Sequence, residues 1–435
     1  MATARLVSLV AAAVQLPILT RMLPPEEFGA LSVAMAVATY FSLVTAEPAI
    51  LAFQRHPGAS DERGNYAFAL PRIVAAVVIG GIVVVGLCLL WGAGEMALGV
   101  VAWGTSLALA RYTATAWLMW SRAWSYSLNL IASTSARTIA LVALVLVGAP
   151  GLTALIVAGL VSAAVSLVLA PRAPILRRQG EGRPWPRRLG YLLAAASLGV
   201  TLLTNVNVIV VEQKIGPAGT APFAAMAQLA ALSSGAVTSM VLTVLYPSFR
   251  RRWDSGRQED VTKDLRRVEL IMVAVGGTCI ALLTAGDGFL SKIAVDASLV
   301  QPHVLATLVA AASLGAIGQV SGWLLQFRSQ ASRLARRTTA VAVAATLLMV
   351  GLVYVSRVDP LQAAAVATIL GFAFYVLLLR GRRSASEPLV PAFVVAFLVV
   401  ALIGPALPIG LTTGASGVVA LVAVVCIKLD RGRVR

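Results

Sequence analysis

Fourteen long apolar runs dominate this chain, and they dictate the kind of fold it can adopt. They fall near residues 4–23, 28–53, 70–91, 96–119, 126–147, 152–170, 191–211, 223–246, 268–289, 304–327, 338–355, 361–379, 389–407 and 410–427. A helix that crosses a bilayer needs about 20 mostly apolar residues, and each run meets that length. Only 12% of the residues are charged and 59% are apolar, about half the charge of a soluble globular chain. One large water-soluble enzyme, a disordered chain and a nucleic-acid-binding domain are all excluded. The expected fold is all-α, a polytopic membrane protein. The first run resembles a signal peptide, but its only basic residue is Arg5 and no small-residue cleavage pattern precedes Thr20-Arg21-Met22-Leu23-Pro24-Pro25; it reads as a retained helix.

The basic residues test this reading, because Lys and Arg collect in cytoplasmic loops. If the spans alternate, 29 of the 35 Lys+Arg fall on the side that holds the N-terminus. The other side receives only Arg21, Lys214, Lys292 and Arg357, while Arg111 and Arg137 remain inside spans. A missed span would scramble that partition. Both termini are therefore expected in the cytoplasm of a cell whose inner (plasma) membrane holds the protein. The formal charge of +17 becomes an orientation signal, one that also suits anionic lipid at the inner surface. Of the 18 acidic residues, Glu47 alone lies well within a span. Dropping the last hairpin as a pair, to give twelve spans, leaves this assignment unchanged.

The loops are short, so the activity must reside between helices. Cys88, Cys279 and Cys426 each sit inside an apolar run, with no ligand spacing and no disulfide framework. His56 and His303 have no cluster of metal ligands beside them. No phosphate-binding Gly-rich loop with Lys-Ser/Thr is present, which argues against ATP hydrolysis and leaves no resident cofactor to expect.

Two stretches share a texture. Leu19–Ser32 (LTRMLPPEEFGALS) and Glu212–Phe223 (EQKIGPAGTAPF) both link one apolar helix to a small-residue helix through Pro and Gly, and Pro25 aligns with Pro217. The two links join spans one–two and seven–eight, so six spans separate them and the repeat is parallel. Parallel repeats in transporters are related by an axis along the membrane normal, with the route between the halves. The expected organisation is an N-lobe over 1–170, a basic cytoplasmic linker over 171–190, a C-lobe over 191–380, and a final helix pair with a basic tail over 381–435.

On these residues the chain resembles a known family. The segment Leu19–Arg55, LTRMLPPEEFGALSVAMA followed by a Glu47 helix ending in AFQR, and the segment Asn205–Arg252, NVNVIVVEQKIGPAGTAPFAAMAQL…LYPSFRRR, are similar to polysaccharide transporter proteins. These are Wzx-like, O-antigen-type flippases of the multidrug/oligosaccharidyl-lipid/polysaccharide exporter superfamily. Pro48 stands where that family often has Gly after an acidic residue, and Asn205 and Asn207 where it commonly has Asp. The resemblance implies two six-helix lobes with an extra hairpin. It also implies flipping of a lipid-linked oligosaccharide from the inner to the outer leaflet.

Charged groups inside a bilayer cost about 2.5–3.5 kcal/mol at a helix centre, and they line cavities or pair. At about 1.5 Å per residue, Glu47 lies about 9 Å from the inner end of span two, and Arg111 about 22 Å from the outer end of span four. They share a depth and can form an ion pair; Arg137 falls near mid-membrane. Three arrangements compete. Arg111 and Arg137 can line a cavity and meet a sugar-diphosphate head, which suits Arg's planar fork; Glu47 can neutralise Arg111 and merely pin two helices; or Arg111 can snorkel. Glu47 is also a candidate H+ or Na+ coupling site, with Pro48 beside it as a hinge. Arg72 is read as a snorkelling residue at an inner helix end, and Arg21 as an interface anchor or part of an outer gate. Asn205, Asn207, Gln319 and Gln326 are the polar features of the second lobe, able to bridge helices or to meet sugar hydroxyls.

The expected function is a flippase for a polyprenyl-diphosphate-linked oligosaccharide, a cell-surface polysaccharide precursor, working by alternating access; it is not an enzyme. A drug or cation antiporter of the same superfamily is the first alternative, with more buried acids expected. A membrane polymerase or ligase is the second, and needs an acid/base cluster at a substrate loop. The expected partners are the lipid-linked substrate, membrane lipid and candidate polysaccharide-assembly proteins, with no nucleic acid.

Overall fold

A long apolar run in lipid must satisfy its backbone internally, and a helix does so within a single segment. A computed structural model of the chain describes residues 2–54, 62–90, 94–119, 122–171, 187–235, 245–246, 248–328, 330–355, 357–380 and 393–398. Among these residues every regular element is helical. The elements are α1 (Ala2–Met22), α2 (Pro25–Gln54), α3 (Glu62–Leu90), α4 (Gly94–Met119), α5 (Ala123–Leu146), α6 (Gly151–Val168), α7 (Arg187–Ala230), α8 (Gln258–Ala294), α9 (Pro302–Phe327), α10 (Ala331–Val355) and α11 (Pro360–Arg380). Nine of the described helices are long and apolar enough to cross a membrane, and α1 contributes a shorter apolar stretch over Leu9–Met22. The chain is a multi-pass membrane protein. The helix α4, which carries Thr105, Ser106, Arg111, Thr113 and Thr115, is the expected span that is too polar to stand among the nine. The expected spans at 389–407 and 410–427 lie outside the described residues, apart from 393–398.

Helix α7 is 44 residues long, about 66 Å if it were straight and twice what a bilayer core requires. It breaks at Gly216, whose φ of 76° and ψ of 175° leave helical space. Only glycine adopts that backbone without strain, and Pro217 then restarts the helix with its fixed φ. The expected span 191–211 lies in the first arm of α7, and the second arm holds the start of the expected span 223–246, of which 236–244 lie outside the described residues. The corresponding link near Pro25 is made differently. There α1 ends at Met22 and α2 begins at Pro25, with no residue of positive φ between them.

The chain forms two compact units: one is Met1–Gln15 with Met22–Leu198, the other Leu16–Arg21 with Gly199–Arg435. In the first unit α4 is the hub, packed against α2, α3, α5 and α6. Small residues let the helices approach closely. A Cβ at Gly159 on α6 would sit 2.7–2.9 Å from the Ala102 and Trp103 backbone, so α6 rests directly on α4 and fixes Trp103 in place. In the second unit α9 is the hub, packed against α8, α10 and α11 and almost wholly buried. Gly315 and Gly318 on α9 leave room for the rings of Phe372 and Tyr375 on α11. Hydroxyls within the helices return their hydrogen bonds to the preceding turn, as Thr45 does to the Phe41 carbonyl and Ser106 to that of Trp103, each at 2.7 Å. The bilayer therefore meets mainly apolar side chains, including Val78, Ile79 and Ile82 of α3 and Leu347 of α10.

Candidate functional site

In the first unit, α2 and α4 each contribute one charged residue at the same level. Glu47 is seven residues from the end of α2 at Gln54, and Arg111 eight residues from the end of α4 at Met119; both therefore lie about 10–12 Å from those ends. Of the arrangements their shared depth allows, the ion pair is present: Arg111 Nη1 donates to Glu47 Oε2 at 3.0 Å. The two partners differ in burial. The Glu47 side chain is 12% exposed and that of Arg111 49%. Beside the pair, Ala46, Ile50, Ile73, Ala108, Tyr112 and Ala116 form a buried apolar cluster. Pro48, the expected hinge, lies inside a continuous α2, where its missing N–H leaves the Val44 carbonyl without an intrahelical donor.

Arg137 lies near the middle of α5. Its Cζ stands 4.7 Å from the centroid of the Trp103 ring, within cation–π range. Trp103 is buried on α4, held by its contact with Gly159. Among the described residues no carboxylate forms an ion pair with Arg137. Trp103 and Arg111 are two helical turns apart on α4, about 12 Å along its axis. The two guanidinium groups therefore occupy successive levels of one helix bundle.

Between them and the nearer end of α5 runs a polar seam absent from the expected site. Thr113 of α4 hydrogen-bonds Asn129 of α5 at 3.0 Å, and Ser162 of α6 donates to the Ser133 carbonyl of α5 at 3.0 Å. Asn129 is an amide inside the run 126–147, a signal of the same kind as Asn207.

In the second unit the amides separate. Asn207 is buried on α7, and its Nδ2 donates to Thr368 Oγ1 of α11 at 3.2 Å; here it bridges helices. Asn205 is half-buried and has no hydrogen bond among the described residues. Gln319 is half-buried on α9, and Gln326 accepts a hydrogen bond from the Tyr246 hydroxyl at 3.2 Å. A buried ion pair also stands here. Glu269 of α8 is paired with Arg380 of α11 and accepts from the Ser321 hydroxyl of α9 at 2.8 Å. In the sequence, Glu269 and Arg380 border the apolar runs 268–289 and 361–379 and read as loop-side residues; helix packing encloses them instead.

Arg21, at the end of α1, is exposed, and its positive charge acts on Asp296. Asp296 N–H donates to Thr20 Oγ1 at 3.3 Å. The Ser298 hydroxyl and N–H both donate to the Asp296 carboxylate, which holds it below the usual carboxylate range, with a smaller contribution from Arg21. Among the described residues no group of His, Cys, Asp and Glu could hold a metal, and the side chain of Arg72 lies outside what is described.

A family model described as "Polysaccharide biosynthesis protein" matches residues 18–275, more than half of the chain and both of the segments that carry the resemblance. No curated protein matches it. Among solved structures, it is similar to lipid II flippase MurJ in an inward closed conformation, with TM-score 0.59 and 11% identity over 100% of this chain and 98% of that one. It is also similar to a multidrug resistance MATE family transporter of the MOP superfamily in an inward-facing conformation, with TM-score 0.50 and 15% identity over 89% of this chain and 100% of that one. At these identities the likeness is one of fold alone.

Proposed function

Because this chain belongs to the polysaccharide biosynthesis protein family, we propose that it flips a polyprenyl-diphosphate-linked oligosaccharide across the bacterial inner membrane by alternating access. In this reading both termini are cytoplasmic and the polyprenyl tail stays in lipid while the sugar-diphosphate head crosses. The observation that carries the proposal is Arg137. It is a cation in the middle of a membrane helix, backed by the buried Trp103 ring, with no carboxylate to neutralise it among the described residues. A charge so placed is costly unless an anion meets it, and a guanidinium offers a diphosphate two parallel N–H bonds.

Arg111 is the second phosphate contact. Trp103, on which Arg137 stacks, and Arg111 are about 12 Å apart along α4, farther than one diphosphate spans, so the two arginines act as successive stations. The head meets Arg111 first, near the end by the basic loops, and Arg137 deeper in. Asn205 and Gln319, half-buried amides of the second unit, suit sugar hydroxyls; Asn207 is assigned to helix bridging, and Arg21 to an interface anchor at the outer end. H+ or Na+ remains the candidate coupling ion, and polysaccharide-assembly proteins the candidate partners. Against a cation antiporter stands the state of the two carboxylates buried among the described residues, Glu47 and Glu269, each of which is already held by an arginine.

The test is a reconstituted flip assay. Proteoliposomes holding a fluorescent polyprenyl-diphosphate saccharide are followed by loss of protection from an external quencher. Wild type should expose the lipid, and Arg137→Ala should do so about ten- to a hundredfold more slowly, while still inserting into the membrane. Normal flipping by Arg137→Ala would remove it from the site, and energy-dependent efflux of a cationic dye without lipid flipping would favour the antiporter.

A further inference from the structure

We infer that Glu47 is a built-in competitor for the substrate's phosphate: it occupies Arg111 when the site is empty and so limits how tightly an organic phosphate is held there. This rests on the reading of Arg111 as a phosphate contact.

The asymmetry of the pair is the starting point. Glu47 is nearly enclosed and Arg111 is half open. Their contact is single, Nη1 to Oε2 at 3.0 Å, and among the described residues no other hydrogen bond to the Arg111 guanidinium is found. One edge of the fork is therefore held and the other is presented. Glu47 has a short side chain on a helix packed against α3, α4 and α6, so it stays where it is. Arg111 has the longer, freer side chain and can turn from one anion to another. A phosphate brings more charge and more acceptor oxygens than a carboxylate, and it can take two N–H donors at once. It therefore displaces Glu47 from Arg111. When the phosphate moves on, Glu47 is already in place to recapture the arginine.

The buried pair of the second unit shows what a non-exchanging arrangement looks like. Glu269 and Arg380 are both enclosed, and Ser321 gives the carboxylate a second bond. Arg380 Nη1 has no hydrogen bond, but it is buried, so neither partner presents an edge that an incoming anion could reach. The pair in the first unit is built for exchange and the pair in the second for permanence.

The inference makes Glu47 an affinity-setting residue whose removal improves binding and harms transport. The experiment uses the full chain in phosphatidylcholine nanodiscs, with farnesyl diphosphate as the probe and affinity read by equilibrium binding. Glu47→Gln should bind about three- to tenfold more tightly than wild type, the range expected for freeing one partly exposed ion pair. Its flipping rate in proteoliposomes should fall. Arg111→Gln should bind about tenfold more weakly, and Glu47→Gln/Arg111→Gln should match Arg111→Gln alone, since Glu47 acts only through Arg111. Arg111→Lys keeps the charge but loses the fork and should fall between; its folding serves as the control. Unchanged or weaker binding by Glu47→Gln, with Arg111→Gln still weakened, would overturn the inference and leave Arg111 as a phosphate contact. Loss of effect in both Arg111→Gln and Arg137→Gln would overturn the functional reading beneath it. A repeat in phosphatidylglycerol-containing discs separates the two sources of phosphate. Retention of phosphatidylglycerol by Glu47→Gln, with no gain for farnesyl diphosphate, would assign the place to a bilayer lipid and overturn the competitor role.

Discussion

The two units each bury a glutamate and tie it to an arginine on a neighbouring helix, yet the pairs are built to different ends. In the first unit Glu47 meets Arg111 through one nitrogen, with the arginine side chain 49% exposed. In the second, Glu269 meets Arg380 with both side chains nearly enclosed, 7% and 11% exposed, and Ser321 adds a third helix to the junction. The lesson concerns enclosure. A half-open pair gains little from its mutual attraction, because solvent or headgroup screens the charge. An enclosed pair is costly to break, because removing one partner strands the other in a low-dielectric interior. The same chemical pair can thus serve as an exchangeable contact or as a fixed clasp.

That contrast can be broken experimentally. The largest expected effect on stability is Arg380→Ala, which strands Glu269 and should destabilise the protein by about 3–5 kcal/mol, read as a large fall in thermal midpoint in detergent. A shift no larger than that of Glu47→Gln, which strands only the half-exposed Arg111, would erase the distinction between the pairs. Next comes Arg137→Ala. Its loss should cost one charge-assisted contact, about 1.5–3 kcal/mol, and so lower the flipping rate about ten- to a hundredfold while leaving the thermal midpoint nearly unchanged.

Glu47→Gln, which leaves only the half-exposed Arg111 without its carboxylate, should cost no more than about 1 kcal/mol of stability, as for other partly exposed pairs, while impairing transport; a large stability loss would make the first pair a clasp as well. Thr368→Val removes the partner of Asn207 and should cost about 0.6 kcal/mol, a typical interhelical hydrogen bond in a membrane protein. Asn205→Ala should leave stability unchanged but reduce transport.

The smallest effect concerns pH at the connection between α8 and α9. Ser298 holds the Asp296 carboxyl below the ordinary range, so the folded state favours the ionised form. The stabilisation is therefore present above the unfolded carboxylate value and is lost as pH falls through the lower folded one. Hydrogen exchange at residues 296–300 should stay protected through mild acid and rise only below it, and Asp296→Asn should abolish that pH dependence.

Much of this was legible from the amino-acid order. Apolar runs of bilayer length forced helices, since no other local structure satisfies the backbone in lipid. The Gly216-Pro217 pair marked the joint inside α7, because glycine alone tolerates its backbone and proline alone restarts the helix so cheaply. Even the Glu47–Arg111 pair was among the arrangements that depth allowed, since the rise per residue converts sequence position into height in the membrane. Height, however, is one coordinate of three. Which side of a helix faces which neighbour depends on how every helix packs against the rest. Only that packing enclosed Glu269 with Arg380, residues that border their apolar runs and look solvated in sequence. It also set Arg137 over Trp103 through the glycine contact of α6, and turned Asn207 toward Thr368 while leaving Asn205 half-open. Sequence determined how deep each charge lies, because depth is additive along a helix. Tertiary structure decided what each charge touches, because contact depends on residues distant in the chain.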